Sequence, residues 1–425
     1  MGMTGFILKG LVRDRSRSFF PFLTVTIGVA LVVFLDTYLR GAQNSIFEAT
    51  ARLVSGHLMV TTKARAREGE AGSVETALFG VKKLKAELKK RYPDITWTER
   101  LRFSGLLDVP DSVGITQVQV PVTSLAVDLT SGSVEHHLLR LKRALVRGQI
   151  PEKPREVLLS EELSHRLAIS PGDRLTMISI NADGRMVIAD FTLVGTVRFG
   201  VTALDRGTII GELEGVREVL GVEDGASEIV GFFSDGVYDD RRAVHLAREY
   251  NARLTNPDDE FMPVMQPLRE ASGFGSLIDL IPKATGMINL IFIMAMAVVL
   301  WNAGLINSLR RYGEIGIRLA QGESKPAIYL SLLIEAFFIG LFGSAAGTLI
   351  GLVPAFYFQE VGLNLSAMMR NTTLVMDEVF RARIAPTTFF VGFIPGIFAT
   401  FLGNAISGLG IFRRATAQLA KEFSE

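Results

Sequence analysis

The chain has 425 residues, of which 48% are hydrophobic and 21% are charged, and its formal net charge is +1. This length can accommodate two or three domains, and the near-neutral charge predicts no general affinity for nucleic acid. The absence of cysteine excludes disulfides, thiolate metal sites and a cysteine nucleophile. The charged residues are concentrated between residues 60 and 270, so the two flanks are more apolar than the average composition indicates.

The first apolar segment follows a basic N-terminus. Residues 1–18 contain four lysine or arginine residues and one acidic residue, and no charge follows until Asp36. This run is longer than the apolar core of a signal peptide, and it lacks a small-residue cleavage site. Residues 19–41 are therefore predicted to form an uncleaved first transmembrane helix, with residues 1–18 in the cytoplasm. A helix that acts only as an anchor is the alternative interpretation.

Residues 42–282 have the composition of a soluble domain whose two ends are alike. Each end combines a helix with strands, predicted at 58–60 (strand), 81–92 (helix) and 95–109 (strand), and at 228–233 (strand), 239–254 (helix) and 261–267 (strand). This symmetry predicts one small α/β subdomain built from both ends. The insertion between them, at about 111–215, is predicted to be mainly β, because it consists of short apolar runs separated by turn sequences such as Pro171-Gly172-Asp173.

Three further apolar segments, each long enough to cross a bilayer, follow the soluble domain. The predicted order is a second transmembrane helix at 283–308, a polar segment at 309–325, a third helix at 326–358, a loop at 359–386, a fourth helix at 387–412 and a tail at 413–425. Lysine and arginine are denser in 309–325 and 413–425 than in the loop. The positive-inside rule therefore places both termini in the cytoplasm and the soluble domain on the exoplasmic side.

The segment between the second and third spans reads RRYGEIGIRLAQG, from residue 310 to residue 322. Its charges cannot be satisfied in hydrocarbon, so it is predicted to lie at the membrane surface. It resembles the cytoplasmic coupling helix of MacB/FtsX/LolC-type ABC transporter permeases, and Leu333-Ile334-Glu335-Ala336 extends the resemblance. In that family the helix docks on an ATPase. The resemblance assigns this contact to Arg310, Arg311, Glu314, Ile315, Gly316, Arg318 and Gly322.

The soluble domain carries a second part of the same resemblance. Four short motifs, at 147–151, 156–160, 168–173 and 191–195, follow one another in the order typical of the MacB-like exoplasmic domain. The implied fold is an α-helical membrane protein with four transmembrane helices and a large α+β exoplasmic domain. Within that domain, a porter-like α/β subdomain carries the mainly β insertion.

The resemblance also implies a function and a set of partners. It predicts a permease subunit of an ABC transporter in the bacterial inner membrane, with a large periplasmic domain, that couples ATP hydrolysis by a separate ATPase to a periplasmic conformational change. ATP and magnesium would be bound by that ATPase, with no cofactor in this chain. A second permease, identical or related, would complete the membrane bundle. The free N-terminus and the size of the exoplasmic domain resemble LolC/LolE, which extract lipoproteins. Export of drugs or peptides, and regulation of a cell-wall hydrolase without transport, are the alternatives.

Enzymatic signatures are missing from the sequence. It contains no P-loop, no H-E-x-x-H and no G-x-S-x-G motif. The adjacent pair His136-His137 is a poor metal site, because neighbouring residues of a helix point in different directions. We therefore predict neither catalytic nor metal-binding residues.

Small and ionisable residues in the spans predict helix packing. Gly343, Gly347 and Gly351 recur at every fourth position, which forms a groove that allows another helix to approach closely. Gly392 and Gly396 repeat this spacing in the fourth span. Glu335 lies inside the third span, where an ionisable group normally faces the bundle and has a partner. We interpret it as a structural hydrogen-bonding group, with a functional relay as the alternative.

An apolar cleft for the substrate is predicted near the exoplasmic ends of the first two spans. Extraction of an amphiphile requires a site that receives acyl chains from the outer leaflet, and flexible methionine side chains suit such a site. Ordinary packing is the alternative role for Met287. Asp36 is predicted at the rim, where it would orient a polar headgroup. The predicted lining is Val32, Val33, Leu35 and Leu39 on the first span and Met287, Ile288 and Ile291 on the second.

Overall fold

The chain divides into two units that alternate along the sequence. The membrane unit comprises residues 1–43, 281–364 and 379–425, and the soluble unit comprises residues 44–280 and 365–378. The computed structural model describes residues 15–68, 74–110, 116–199, 205, 207–254, 256, 259–271, 275–309, 312–364 and 379–409.

The helices and strands are numbered along the chain. The α-helices are α1 (Arg15–Thr50), α2 (Lys63–Glu68), α3 (Val81–Arg91), α4 (Glu135–Leu138), α5 (Leu141–Ala144), α6 (Glu161–Leu167), α7 (Leu213–Leu220), α8 (Asp240–Asn251), α9 (Leu268–Ala271), α10 (Gly275–Leu309), α11 (Tyr312–Ala320), α12 (Lys325–Glu360), α13 (Thr388–Val391) and α14 (Thr400–Gly408). The strands are β1 (Leu58–Thr62), β2 (Leu78–Phe79), β3 (Ile95–Pro110), β4 (Thr116–Val127), β5 (Leu145–Gly148), β6 (Glu156–Ser160), β7 (Arg174–Ile180), β8 (Met186–Val197), β9 (Thr208–Glu212), β10 (Gly225–Ala226), β11 (Glu228–Phe233), β12 (Pro263–Pro267), β13 (Leu363–Asn364) and β14 (Val379–Phe380).

Four helical segments are long and apolar enough to cross a membrane. They are Phe19–Ser55, Gly275–Ile306, Lys325–Glu360 and Thr388–Gly408. The first continues from α1 into a π-helical turn at Ala51–Ser55. The fourth is interrupted by a second π-helical turn, Ile394–Ala399, which contains Pro395. Proline has no N–H to donate to the helical ladder, so a widened turn at this position accommodates the missing hydrogen bond.

The soluble unit is organised around one mixed sheet. Its strand order is β12-β1-β11-β3-β4-β9-β6-β8-β5, and β7 pairs with both β3 and β8. The pairs β4–β9 and β6–β8 are parallel, and the remaining pairs of this sheet are antiparallel. Because β7 joins β8 back to β3, the strands β3, β4, β9, β6, β8 and β7 form a closed cycle, which is a six-stranded barrel.

Strand β3 belongs to both parts of the soluble unit. Its first six residues, from Ile95 to Arg100, pair with β11, whereas Gly105–Asp108 pair with β7. Strand β4 runs beside it from Arg100 onwards. The predicted subdomain contains β1, β11 and β12, which come from the two ends of the segment. Strand β3 connects this subdomain directly to the mainly β insertion. The predicted fold class is confirmed: four apolar helices accompany a large α/β domain with a mixed sheet.

The barrel is filled by alternating side chains of its strands. Leu101, Phe103 and Leu107 of β3 are buried together with Leu175 of β7 and Phe191 of β8. Alternation places every second residue of a strand on the interior face, which accounts for the apolar runs of this segment. At about 25 cal/mol per Å² of apolar surface, such burial is the main stabilising contribution to the domain.

Buried charges connect the barrel to the flanking elements. Arg100 on β3 donates two hydrogen bonds to Glu135 on α4, at 2.9 and 3.0 Å, and both side chains are fully buried. Arg217 on α7 lies 2.6 Å from Glu99. Burial raises the pKa of Glu99, but hydrogen bonds from Arg217 and Lys85 outweigh it, so the pKa is lowered overall.

His57 occupies the turn before β1. Its Nδ1 accepts a hydrogen bond from the backbone N–H of Phe233 at 3.1 Å, and its ring packs against Phe232, Phe233 and Tyr238. Burial lowers the pKa of His57 to about 4, although the nearby Asp235 opposes this shift. The imidazole is therefore neutral at pH 7, which agrees with its role as a hydrogen-bond acceptor.

Candidate functional sites in the membrane unit

Helix α11 is held against the third span by an apolar cluster. Ile315, with 2% of its surface exposed, packs with Ile328 and Leu332 of α12, and Leu319 adds to the cluster. Residues 315 and 319 are one helical turn apart and share a face, so this face of the amphipathic helix is directed towards the membrane helices. Ile315 therefore has a packing role within the chain, and Gly316 beside it is also buried. Their predicted contact with an ATPase stays a prediction.

The end of α11 is a glycine-capped turn. Gly322 has a φ of 90°, a conformation that favours glycine. Its N–H donates to the carbonyl of Leu319, and the N–H of Glu323 donates to the carbonyl of Arg318. This pair of hydrogen bonds defines the Schellman motif. Pro326 then lies in the first turn of α12, so the chain reverses within a few residues and the orientation of α11 is fixed.

Arg318, which is predicted to contact an ATPase, makes an ion pair within the chain. Its Nε and one terminal nitrogen each donate to a carboxylate oxygen of Glu323 at 2.7 Å, and its other terminal nitrogen lies 3.4 Å from the hydroxyl oxygen of Ser331. A bidentate arginine–carboxylate pair has a defined geometry. Arg318 therefore braces α11 against the start of the third span, and its contact with an ATPase stays a prediction.

The side chain that faces away from this packed surface is Ile317, which is 50% exposed. It lies two positions after the buried Ile315, so the two isoleucines lie on different helix faces. The sequence prediction did not select Ile317, although this spacing was the available signal. Glu314 is half-buried on the same helix. Arg310 and Arg311 lie outside the described residues.

The glycines of the third span face the first span. A Cβ at Gly347 would lie 2.5 Å from the carbonyl oxygen of Thr26, and one at Gly351 would lie 2.6 Å from the carbonyl oxygen of Ala30. Gly343 similarly lies against Val25. No larger side chain fits these positions without moving the backbone, so the glycine spacing permits direct contact between the two helices.

The fourth span approaches the same groove through its own glycines. A Cβ at Gly396 would overlap the hydroxyl of Ser344 and crowd Val29, and one at Gly392 would lie within 2.4 Å of Val29. Val29 has no exposed surface. The first, third and fourth spans therefore interlock around one valine of the first span.

Asp36 is a buried hydrogen-bond acceptor shared by three spans. It has 1% of its surface exposed. Its Oδ1 accepts from Asn289 Nδ2 of the second span at 2.8 Å, and its Oδ2 accepts from Thr388 Oγ1 of the fourth span at 3.0 Å and from Arg40 Nε at 2.9 Å. A carboxylate in a membrane segment requires such partners. The prediction of Asp36 at an open rim is therefore wrong.

The residues predicted to line an apolar cleft differ in exposure between the two spans. Val32 and Val33 of the first span are completely buried, and Val33 packs against Gly351. Leu35 and Leu39 are half-buried. The three residues of the second span lie on an exposed apolar face instead, with exposed fractions of 59% for Met287, 47% for Ile288 and 60% for Ile291. The burial of the two valines corrects the cleft as predicted.

Two further predictions concern polar groups. Glu335 is half-buried on the third span, one residue before the buried Ala336. Among the described residues, no group of three or more histidine, aspartate or glutamate side chains is placed to hold a metal ion.

Comparisons with known proteins cover most of the chain. Residues 286–416 match the family model described as FtsX-like permease C-terminal. The macrolide export ATP-binding/permease protein MacB of Brucella melitensis biotype 1 is 22% identical over 409 residues, which represent 94% of this chain and 59% of the relative. The chain thus spans less than two thirds of the length of that relative.

A solved structure, the periplasmic region of MacB from Actinobacillus actinomycetemcomitans, covers 53% of this chain and 94% of its own length, at 12% identity and a TM-score of 0.35. The fold described above does not depend on this remote likeness. The permease match includes the whole of α11 and α12, and the alignment with MacB runs along nearly the entire chain. The chain is thus similar to ABC transporter permeases of the FtsX/MacB type, with its FtsX-like permease region at residues 286–416.

Proposed function

We propose that the chain couples ATP hydrolysis by an ABC ATPase to conformational change of its exoplasmic domain, and that α11 is the surface on which the ATPase docks. The observation that carries this proposal is the exposed Ile317 on a helix that is otherwise anchored to the third span by Ile315. An exposed apolar side chain at the centre of a small rigid surface is typical of a protein contact. Glu314 and the basic residues Arg310 and Arg311 would contribute charged contacts around it.

The packing of the spans supports transmission of movement from this surface. Because Ile315 and Arg318 fix α11 to α12, a displacement of α11 would be transferred to the third span. The close contact of Gly347 and Gly351 with the first span would carry it further. A second copy of the chain, or a related permease, would complete the bundle in the bacterial inner membrane.

We propose a lipoprotein as the substrate, extracted from the outer leaflet of that membrane. Each CH₂ group of an acyl chain contributes about 0.8 kcal/mol to membrane anchoring, so release of a multiply acylated protein requires an energy source such as ATP. The exposed apolar face of the second span, which includes Met287 and Ile291, is a surface on which acyl chains could be received. Methionine adapts to varied apolar partners.

The docking surface is tested by one substitution with a matched control. Ile317→Asp should reduce co-purification of a co-expressed ABC ATPase with the tagged chain, because it places a charge at the centre of the contact. Val361→Asp is the control, since Val361 is also exposed (57%) but follows the opposite end of the third span. Equal recovery of the ATPase with the Ile317→Asp variant and the wild-type protein would refute the proposal.

Export of macrolides is the second candidate, favoured by the name of the Brucella relative. The two substrates are distinguished by photocrosslinking in membranes. A lipoprotein with a photoreactive acyl chain should crosslink to the variant Ile291→Cys. The crosslink should disappear when ATP and the ATPase are added. Protection of cells from macrolides without such crosslinks would favour drug export. Crosslinks confined to the soluble unit would favour a regulatory role without transport.

A further inference from the structure

The soluble unit contains a half-open pocket of about 90 Å³ whose rim is formed by arginine. Three chain segments meet there: the π-helical turn after α1, the turn between α4 and α5, and the end of β8. The lining residues are Arg52, Leu53, Leu139, Arg140, Arg143, Ala144, Arg198 and Phe199. Four of these described residues are arginine and none is acidic.

Two arginines of this rim differ from the paired arginines of the unit. Arg100, Arg102 and Arg217 each pair with a buried glutamate at 2.9, 2.8 and 2.6 Å. Among the described residues, by contrast, the side chains of Arg143 and Arg198 make no ion pair. The carboxylate of Asp205 lies close by and accepts a hydrogen bond from the backbone N–H of Phe199 at 2.8 Å. Grouped like charges repel one another, and an anion in the pocket would relieve that repulsion.

The backbone around the pocket is shaped to present these side chains. Arg140 has a φ of 51° and a ψ of 40°, a left-handed conformation that is uncommon for a residue other than glycine. Such conformations persist where the surrounding structure requires them, and they are frequent at binding sites. Here the left-handed residue makes the turn by which Arg140 and Arg143 both come to line the pocket.

The floor of the pocket is apolar. Leu53, Leu139 and Ala144 belong to a buried cluster of the soluble unit, and Phe199 packs against that cluster. The pocket thus combines a cationic rim with an apolar base. Its volume admits several water molecules, which is sufficient for one phosphate-sized group with its nearest substituent but not for a whole lipid.

We propose that this pocket binds the phosphate group of an organic phosphate ester. The planar guanidinium of arginine donates two parallel hydrogen bonds to a phosphate, which gives both orientation and charge compensation. A phosphate offers more acceptor oxygens to Arg143 and Arg198 than a carboxylate does, and its ester substituent would contact Phe199 and Leu53. The ligand is either a soluble phosphate ester or the headgroup of a phospholipid. This site goes beyond the transport function proposed above and does not depend on it.

The test uses the full chain in a phosphate-free, non-ionic detergent solution. Isothermal titration calorimetry measures binding of glycerol 3-phosphate, of dihexanoylphosphatidylglycerol below its micellar concentration, and of acetate as a carboxylate control. The pocket variant is Arg143→Gln with Arg198→Gln. The matched control is Arg174→Gln with Arg241→Gln, which removes the same charge from two exposed arginines of β7 and α8. The melting temperature of each variant shows whether it is folded.

We expect at least one phosphate ester to bind the wild type and the control alike, and the pocket variant to lose about tenfold or more in affinity. Arg143→Lys with Arg198→Lys should bind with intermediate affinity, because it keeps the charge but not the planar fork. Binding of glycerol 3-phosphate would identify a soluble ester, and binding of the lipid analogue alone would identify a headgroup. The proposal is overturned if neither ester binds, if acetate binds as well, or if the pocket variant retains the affinity of the control.

Discussion

Thr388 of the fourth span donates a hydrogen bond to Asp36 of the first span, over 3.0 Å and 352 positions along the chain. The same carboxylate accepts a hydrogen bond from the side-chain amide of Asn289 in the second span. One buried group thus connects three membrane helices that are far apart in sequence.

Replacement of this carboxylate should loosen the membrane unit. Asp36→Leu leaves Asn289, Thr388 and Arg40 without their acceptor. Hydrogen bonds between membrane helices contribute about 0.6 kcal/mol each on average, so we expect a loss of about 2 kcal/mol in an unfolding titration with a denaturing detergent. Thr24→Val is the control, because the hydroxyl of Thr24 donates to the carbonyl of Phe20 in its own helix. Equal stability of the Asp36 and Thr24 variants would contradict this role.

Because the third span packs closely against the first, a larger side chain at position 347 should strongly destabilise the chain. Gly347→Leu should lower the melting temperature of the purified chain markedly, since even a Cβ would lie 2.5 Å from a backbone oxygen, and overpacking typically costs about 1–3 kcal/mol. Gly286→Leu on the second span is the matched control, because a Cβ there meets no atom within 4 Å. If both variants melt like the wild type, the glycine groove does not limit stability.

For the buried pair of Arg100 and Glu135, we expect a single substitution to lower the free energy of unfolding more than the double substitution does. Glu135→Leu leaves a fully buried guanidinium without its carboxylate and should cost about 3–5 kcal/mol. Combining it with Arg100→Met should recover part of this loss, because no uncompensated charge remains. Urea unfolding followed by the fluorescence of Trp97, in a Trp301→Phe background, measures both. Additive losses would contradict the account.

Burial of neutral His57 predicts that acid destabilises the soluble unit. The pKa of His57 is about 4 in the folded chain and 6.5 as its ordinary value, so the unfolded chain binds more protons between these limits. Its contribution is therefore complete above about pH 6.5 and declines as the pH falls towards 4, by about 3 kcal/mol at about 1.4 kcal/mol per pKa unit. His57→Gln should show a flatter decline of Trp97-monitored stability over this range. A pH profile parallel to that of the wild type would be inconsistent with this prediction.

The sequence predicted best those features that local patterns determine. The helix at 81–92 and the strands at 95–109 and 228–233 agree closely with α3, β3 and β11, because periodicity and turn residues are local signals. Closure of the barrel through β7 was not predictable in this way, since it depends on pairings between distant strands that no local pattern specifies.

The membrane sites show the same distinction. The four-residue spacing of glycine indicated a close helix contact but not which helix would fill it. Apolarity alone placed Val33 and Ile291 in one cleft, although the first is buried at Gly351 and the second is exposed. Hydropathy does not distinguish a residue that faces lipid from one that faces another helix. Ile317 could have been recognised from its position opposite Ile315.

The sharing of β3 has a mechanical consequence for the soluble unit. A load applied along β1 and β12 reaches the barrel through the hydrogen bonds of β11 with the first half of β3. Because strands lie side by side in this path, the load is distributed over many bonds in shear and is not concentrated at a flexible linker. We therefore expect the two parts to tilt together, so that a movement of β1 is transmitted to the barrel through β11 and β3.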